Sequence, residues 1–165
     1  MDLDLIPLDE ENLDRLEANA MENMEAGNDD SREFHQMIVT VLAETRAFMQ
    51  HQVAEPPWLT YLAYDGRRGG LVGNCSFKGN PNEDGEVEIG FVTFPRFESH
   101  GYGTEMARQL IDLARMQGVV SRIVAVSQAG NGAAARVLQK HGFTHVDTYE
   151  DEEHGQLWEW ALALY

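Results

Sequence analysis

The stretch Glu98-Ser99-His100-Gly101-Tyr102-Gly103-Thr104 joins an apolar strand closed by Pro95 to an amphipathic helix, so one loop aims several main-chain N–H groups at one point. Two glycines one residue apart let the main chain come close to a bound group, and the helix start adds unpaired donors and a partial positive charge. The chemistry this suits is the holding of an anion, a pyrophosphate above all. Just upstream, Glu86 and Glu88 alternate with Val87 and Ile89, so one face of a strand carries two carboxylates able to take a proton. Tyr149 and His154, near the last hairpin, are further proton-transfer candidates. Cys75 falls in mid-strand with no base beside it and reads as a buried structural thiol. His141, His145 and His154 show no ligand repeat such as His-Glu-x-x-His, so no metal is expected. Trp58, Trp158 and Trp160 read as sheet packing rather than an aromatic cage.

The elements that must position these residues follow from periodicity. Leu3 to Leu8 reads as a strand, after which Asp9 caps a helix with Leu13, Leu16, Ala20 and Met24 on one face, ending near Gly27. A second helix starts near Ser31, carries Phe34, Ile38, Leu42, Thr45 and Phe48 inward, and stops before Pro56-Pro57. Strands follow at Trp58 to Tyr64, Leu71 to Phe77 and Glu86 to Phe94. The helix after the anion loop buries Met106, Leu110, Leu113 and Ala114 and ends at Gly118. A strand Ile123 to Val126, a short helix from Asn131 to Gly142 and a hairpin from Phe143 to Leu164 complete the chain. The order β-α-α-β-β-β-α-β-α-β-β predicts a mixed sheet with helices on its faces, in a single domain over residues 1–165.

Bulk composition narrows the partners. Among 165 residues, 12 basic against 28 acidic side chains leave a net charge of −16, which opposes nucleic acid and anionic lipid, so neither is an expected partner. The charge is uneven. Residues 1–30 hold eleven acids and one base, whereas residues 96–140 hold six bases and three acids, and the anion loop lies in that basic stretch. The lone cysteine fits a reducing compartment, no apolar run approaches the ~18 residues a membrane span needs, and the N-terminus lacks a basic leader. A cytoplasmic location is expected. A dinucleotide-binding turn fits poorly, because its third glycine position holds Met106 and the next strand ends in Ser127-Gln128 instead of an acid.

Two motifs, Val87-Glu88-Ile89-Gly90-Phe91 running through Pro95 to Gly101-Tyr102-Gly103-Thr104-Glu105, and Asn131 running through Val137-Leu138-Gln139-Lys140-His141-Gly142-Phe143, resemble the GNAT superfamily of N-acetyltransferases over nearly the whole chain. The wording is most similar to the branch that includes ribosomal-protein N-terminal acetyltransferases. The resemblance implies an α/β (α+β) fold with a largely antiparallel sheet of about seven strands and four helices, splayed between the fourth and fifth strands. It implies acetyl-CoA as cosubstrate, held by Val92, Thr93, Ser99, His100, Gly101, Tyr102, Gly103, Thr104, Asn131 and Lys140. The acceptor would be a primary amine, on a peptide N-terminus or a small molecule, acetylated directly in a ternary complex with Glu88, backed by Glu86, as base. Three positions depart from the family pattern. Glu98 puts a carboxylate at the start of the phosphate loop, which weakens cofactor binding unless it turns outward. Leu138 and Ala134 stand where the family offers a Tyr or Ser to protonate the leaving thiolate. These gaps leave open a non-catalytic module that binds acyl-CoA or a partner protein; a homodimer is also left open.

Overall fold

Asp9 caps the first helix through Oδ1, which accepts the N–H of Asn12 at 2.8 Å, and from there the chain lays down its elements in the predicted order. In the computed structural model, which describes residues 1–26 and 29–165 and side chains outside 24–31, they are β1 (Leu3–Pro7), α1 (Glu10–Ala26), α2 (Asp29–His51), β2 (Thr60–Asp65), β3 (Gly70–Phe77), β4 (Glu86–Thr93), α3 (Tyr102–Gln117), β5 (Arg122–Gln128), α4 (Ala133–Lys140), β6 (Thr144–Asp151) and β7 (Gly155–Ala163). Gly27, the expected end of the first helix, and the side chains of Met24 and Ser31 lie outside the described residues. Several boundaries move, most of them by one or two residues, as where β5 runs Arg122–Gln128 instead of Ile123–Val126. The second strand begins at Thr60 rather than Trp58, because the N–H groups of Trp58 and Leu59 are engaged in turn bonds to Glu55 and Pro57. The last helix begins at Ala133 with Gly132 as its cap, not at Asn131, and no side chain caps it.

The seven strands form one sheet in the order β1-β2-β3-β4-β5-β7-β6. Every pairing is antiparallel except β4 with β5. That parallel pair matches only Glu86–Ile89 with Arg122–Ala125. Beyond it β4 stays on β3, with Gly90 opposite Ser76 and Thr93 opposite Gly73, while β5 stays on β7. The two strands therefore part after Ile89, and the sheet is split at its middle.

Two apolar layers hold this arrangement. On one face α3 and α4 press Met106, Leu110, Ile111 and Leu138 against Val87, Ile89 and Ile123. On the other, α1 and α2 press Leu13, Ile38 and Leu42 against Leu62 and Phe94. Each large side chain buried this way contributes about 1.5–3 kcal/mol relative to exposure. The three-and-four spacing of α3 puts Tyr102, Met106, Ala107, Leu110, Ile111 and Ala114 on its buried stripe, and Gly118 ends it in the left-handed region at φ 70°.

Candidate active site

The loop between β4 and α3 turns sharply twice, at Ser99 with φ 65° and at Gly101 with φ 86°. Left-handed residues alternating with ordinary ones gather successive main-chain N–H groups into a concave nest. Gly101 caps α3 without a side-chain bond, and the first helical hydrogen bond is Glu105 N–H to the Gly101 carbonyl, 3.1 Å. The N–H groups from Ser99 to Thr104 consequently have no acceptor among the described residues. Six unspent donors and the positive end of a sixteen-residue helix lie together in this segment.

They open onto a cleft of about 480 Å³. Its walls are the free end of β4 (Phe91, Val92, Thr93), the loop (Glu98, Ser99, Gly101, Tyr102, Gly103, Thr104) and one side of α4, including Ala134, Arg136, Val137 and Lys140. Gly103 faces the other walls: a methyl group built on it would lie 3.6 Å from Val137, 3.7 Å from Thr93 Oγ1 and 3.8 Å from Phe91. The bonds that flank the parting, Lys78 N–H to Glu88 O at 2.8 Å and Phe94 N–H to Val72 O at 2.9 Å, fix which β4 residues bond to β3. Antiparallel pairing alternates, so Glu88, Gly90 and Val92 turn their main chain to β3 while Phe91 and Thr93 turn theirs into the gap. Past Ile89 those groups have no strand to meet.

Eight of the ten residues assigned to the cofactor from sequence line this cleft: Val92, Thr93, Ser99, Gly101, Tyr102, Gly103, Thr104 and Lys140. His100 and Asn131 do not. The His100 ring folds back, with Nδ1 2.7 Å from Glu98 O and 3.1 Å from Phe97 O, and stacks on Tyr102. The Asn131 carbonyl accepts a hydrogen bond from Arg136 at 2.9 Å, outside the cleft. Glu98, which is exposed, also lines the cleft. Sequence reasoning missed Phe91, whose main-chain direction follows from strand parity once the pairing is known. It also missed Arg136, which the four-residue spacing before Lys140 on α4 could have flagged.

A buried clamp supports the loop from behind. The Tyr102 hydroxyl donates to Asp65 Oδ2, while Asp65 Oδ1 accepts the N–H groups of Arg67 at 2.9 Å and Arg68 at 3.3 Å. The Tyr102 hydroxyl chiefly, with those two amides, holds the Asp65 carboxyl below its ordinary range against the opposing effect of burial. Phe97 packs edge-on against the Tyr102 ring, and the Arg68 guanidinium lies over Phe97. At the other side, His141 Nε2 is 2.9 Å from Thr104 O, tying the end of α4 to the first turn of α3.

The two candidate carboxylates differ. Glu86 is bound to Arg122 at 2.6 Å. Glu88 makes no ion pair, and burial pushes its carboxyl up, opposed by Lys78 and assisted by Glu159 and Glu86. It sits one residue before the last β4–β5 pair, on the face away from α3. Leu138 is buried in the core and Ala134 faces the cleft, so neither position supplies a proton. Cys75 is fully buried, which pushes its thiol up and removes it from nucleophilic work. His145 stacks on Trp158 at 4.1 Å, His154 contacts Asp151, and the buried Trp160 donates to Ser127 Oγ at 2.9 Å.

Comparison with known proteins bears on this geometry. The family model described as the acetyltransferase (GNAT) domain matches residues 2–144. The chain is 40% identical over 73 residues to the uncharacterized N-acetyltransferase YjdG of Bacillus subtilis (strain 168), covering 44% of each protein. It is 28% identical over 106 residues to the uncharacterized protein YkkB of the same organism, covering 64% of this chain and 58% of that one. The chain thus spans about half the length of these relatives. Among solved structures, RimL, a ribosomal L7/L12 alpha-N-protein acetyltransferase in complex with coenzyme A, superposes with a TM-score of 0.68 at 16% identity, over 99% of this chain and 94% of that one. A ribosomal-protein-S5-alanine acetyltransferase from Vibrio fischeri gives 0.68 at 13% identity, over 99% and 93%. At such identities the likeness is one of fold.

Proposed function

The chain belongs to the GNAT acetyltransferase family, and we propose that it moves an acetyl group from acetyl-CoA to a primary amine by direct transfer in a ternary complex. One observation carries this reading: the unspent amides from Ser99 to Thr104 open on a cleft continuous with the parting of β4 and β5. The residues present fit the cosubstrate. A diphosphate takes the amides of the nest and the charges of Arg136 and Lys140, and the amide-bearing arm bonds to Phe91 and Thr93 as a strand would. Acetyl-CoA supplies an activated acyl carbon and a thiolate leaving group.

Glu88 takes the proton the amine sheds, directly or through water, as the new C–N bond forms and the electron pair of the broken C–S bond leaves on sulfur. Burial raises its pKa, which makes it a stronger base than an ordinary exposed carboxylate. The arginine-bound Glu86 orders that face of the strand instead. With Leu138 and Ala134 unable to donate, the thiolate departs unassisted by those positions and is protonated by water.

Calorimetric titration with acetyl-CoA, paired with CoA release on amines, tests the reading. The parent chain binds and releases CoA, while Gly103→Asp, whose side chain points at Val137, Thr93 and Phe91, loses binding and keeps its circular dichroism. Binding by that variant at parental affinity contradicts the assignment. The absent proton donors favour a second reading, an acyl-CoA-binding module without turnover, and binding without CoA release on any amine would select it.

A further inference from the structure

Lys78 follows the last residue of β3, and its N–H bonds to Glu88 O, so it stands directly opposite Glu88 on the face away from α3. Cross-strand neighbours of this kind have Cβ atoms about 5 Å apart, close enough for an ion pair. None forms: Lys78 makes no ion pair among the described residues. Its side chain leans over Gly90 instead, where a methyl group would lie 3.2 Å from Cε and 3.6 Å from Nζ. Gly90 is the first β4 residue past the last pair with β5, so the ammonium hangs over the point where the strands part.

Beside it lies a pocket of about 170 Å³ between α2 and β3. Thr60, Asn74 and Ser76 line it, and none of their side chains hydrogen-bonds to the protein among the described residues. The charged groups of its lining are one cation, Lys78, and one carboxylate, Glu44. That volume is about six times the share of one water in the liquid, room for a group the size of an amino acid. Outside that lining, across the strand pair, Glu88 faces Lys78 without an ion pair, and a cation and a carboxylate left apart beside unspent hydroxyl and amide groups are the complement of a molecule that carries both charges itself.

We infer that the acceptor is a small zwitterion, an α-amino acid or a compound with the same spacing of amine and carboxylate, seated with its carboxylate at Lys78 and its amine at Glu88. The inference rests on the acetyl-transfer reading above and names the acceptor class for it. A polyamine would set a second cation against Lys78, and an amino-acid amide would leave the ammonium without its anion; both are selected against.

The test measures CoA release with acetyl-CoA and the twenty L-amino acids, each beside its own carboxamide, with spermidine as the polyamine. At least one amino acid should exceed its amide and spermidine in kcat/KM by about tenfold, the strength expected of a charge-assisted contact. Lys78→Ala should shrink that preference to within about twofold, and Lys78→Arg should retain it. Lys78→Gln serves if the alanine variant does not fold. A preference for the amide or for spermidine, a preference that survives loss of the lysine, or no release with any amino acid by a chain that binds acetyl-CoA would each overturn the inference. Calorimetry on the parent separates the levels, since failure to bind acetyl-CoA strikes the acetyl-transfer reading itself.

Discussion

Asp65 and Tyr102 are 37 residues apart in sequence and share a hydrogen bond beneath the anion loop, so the turn after β2 sets the position of a residue whose own N–H faces the cleft. Removing only the hydroxyl, Tyr102→Phe leaves the ring against Phe97 and His100 but frees the loop to drift. Calorimetry should show acetyl-CoA affinity falling roughly tenfold, as loss of a bond to a charged acceptor implies. Adding Asp65→Asn to that variant should cost little more, because the Tyr102 bond is already lost and the asparagine oxygen can still accept the N–H groups of Arg67 and Arg68. Glu88 gives a second residue-level expectation. Its folded-state pKa lies above the ordinary carboxylate value, so kcat/KM rises with pH through a limb displaced upward, and Glu88→Gln removes that limb. The sign for stability is opposite: a raised carboxyl takes up a proton on folding, so its contribution weakens as pH climbs from the unfolded to the folded pKa. The thermal midpoint of Glu88→Gln at neutral pH should therefore equal or exceed that of the parent. Of these residues, the loop and Glu88 were legible locally from types and spacing. The Asp65 clamp was not, since nothing in either segment announces a partner so distant.

At the level of elements, the periods of α2 and α3 and the order of all eleven helices and strands could be read from apolar spacing, because each period reports which face must be dry. The parting of β4 from β5 could not. It depends on where a parallel pairing stops, and the alternation of β4 is the same on both sides of Ile89; only the family resemblance anticipated it. Helix α4 shows the limit of motif reading in the other direction, since Asn131 fits a cap by type while the chain uses Gly132. The β3–β4 contact that keeps the free end of β4 in place is unusually close at Gly73, where a Cβ would come within 2.4 Å of the Val92 carbonyl. Backbone cannot yield there as a flexible side chain would. Gly73→Ala should lower unfolding free energy by about 1–3 kcal/mol in urea denaturation and weaken acetyl-CoA binding together with it.

Across the whole molecule, charge and architecture agree on one site. A chain of net charge −16 repels anions at long range, yet its acids crowd the first thirty residues while Arg136 and Lys140 flank the cleft. Binding of a polyanion must then come from short-range main-chain donors more than from the overall field. The central claim is that the N–H groups from Ser99 to Thr104 are free in the unliganded chain and hold the diphosphate of acetyl-CoA. Amide NMR during a titration with acetyl-CoA tests this most directly. The amides of Ser99, Gly101, Tyr102, Gly103 and Thr104, with those of Phe91 and Thr93, should shift together and exchange with solvent more slowly once the site is filled. Saturation with acetyl-CoA that leaves these resonances and their exchange rates unmoved would contradict the account.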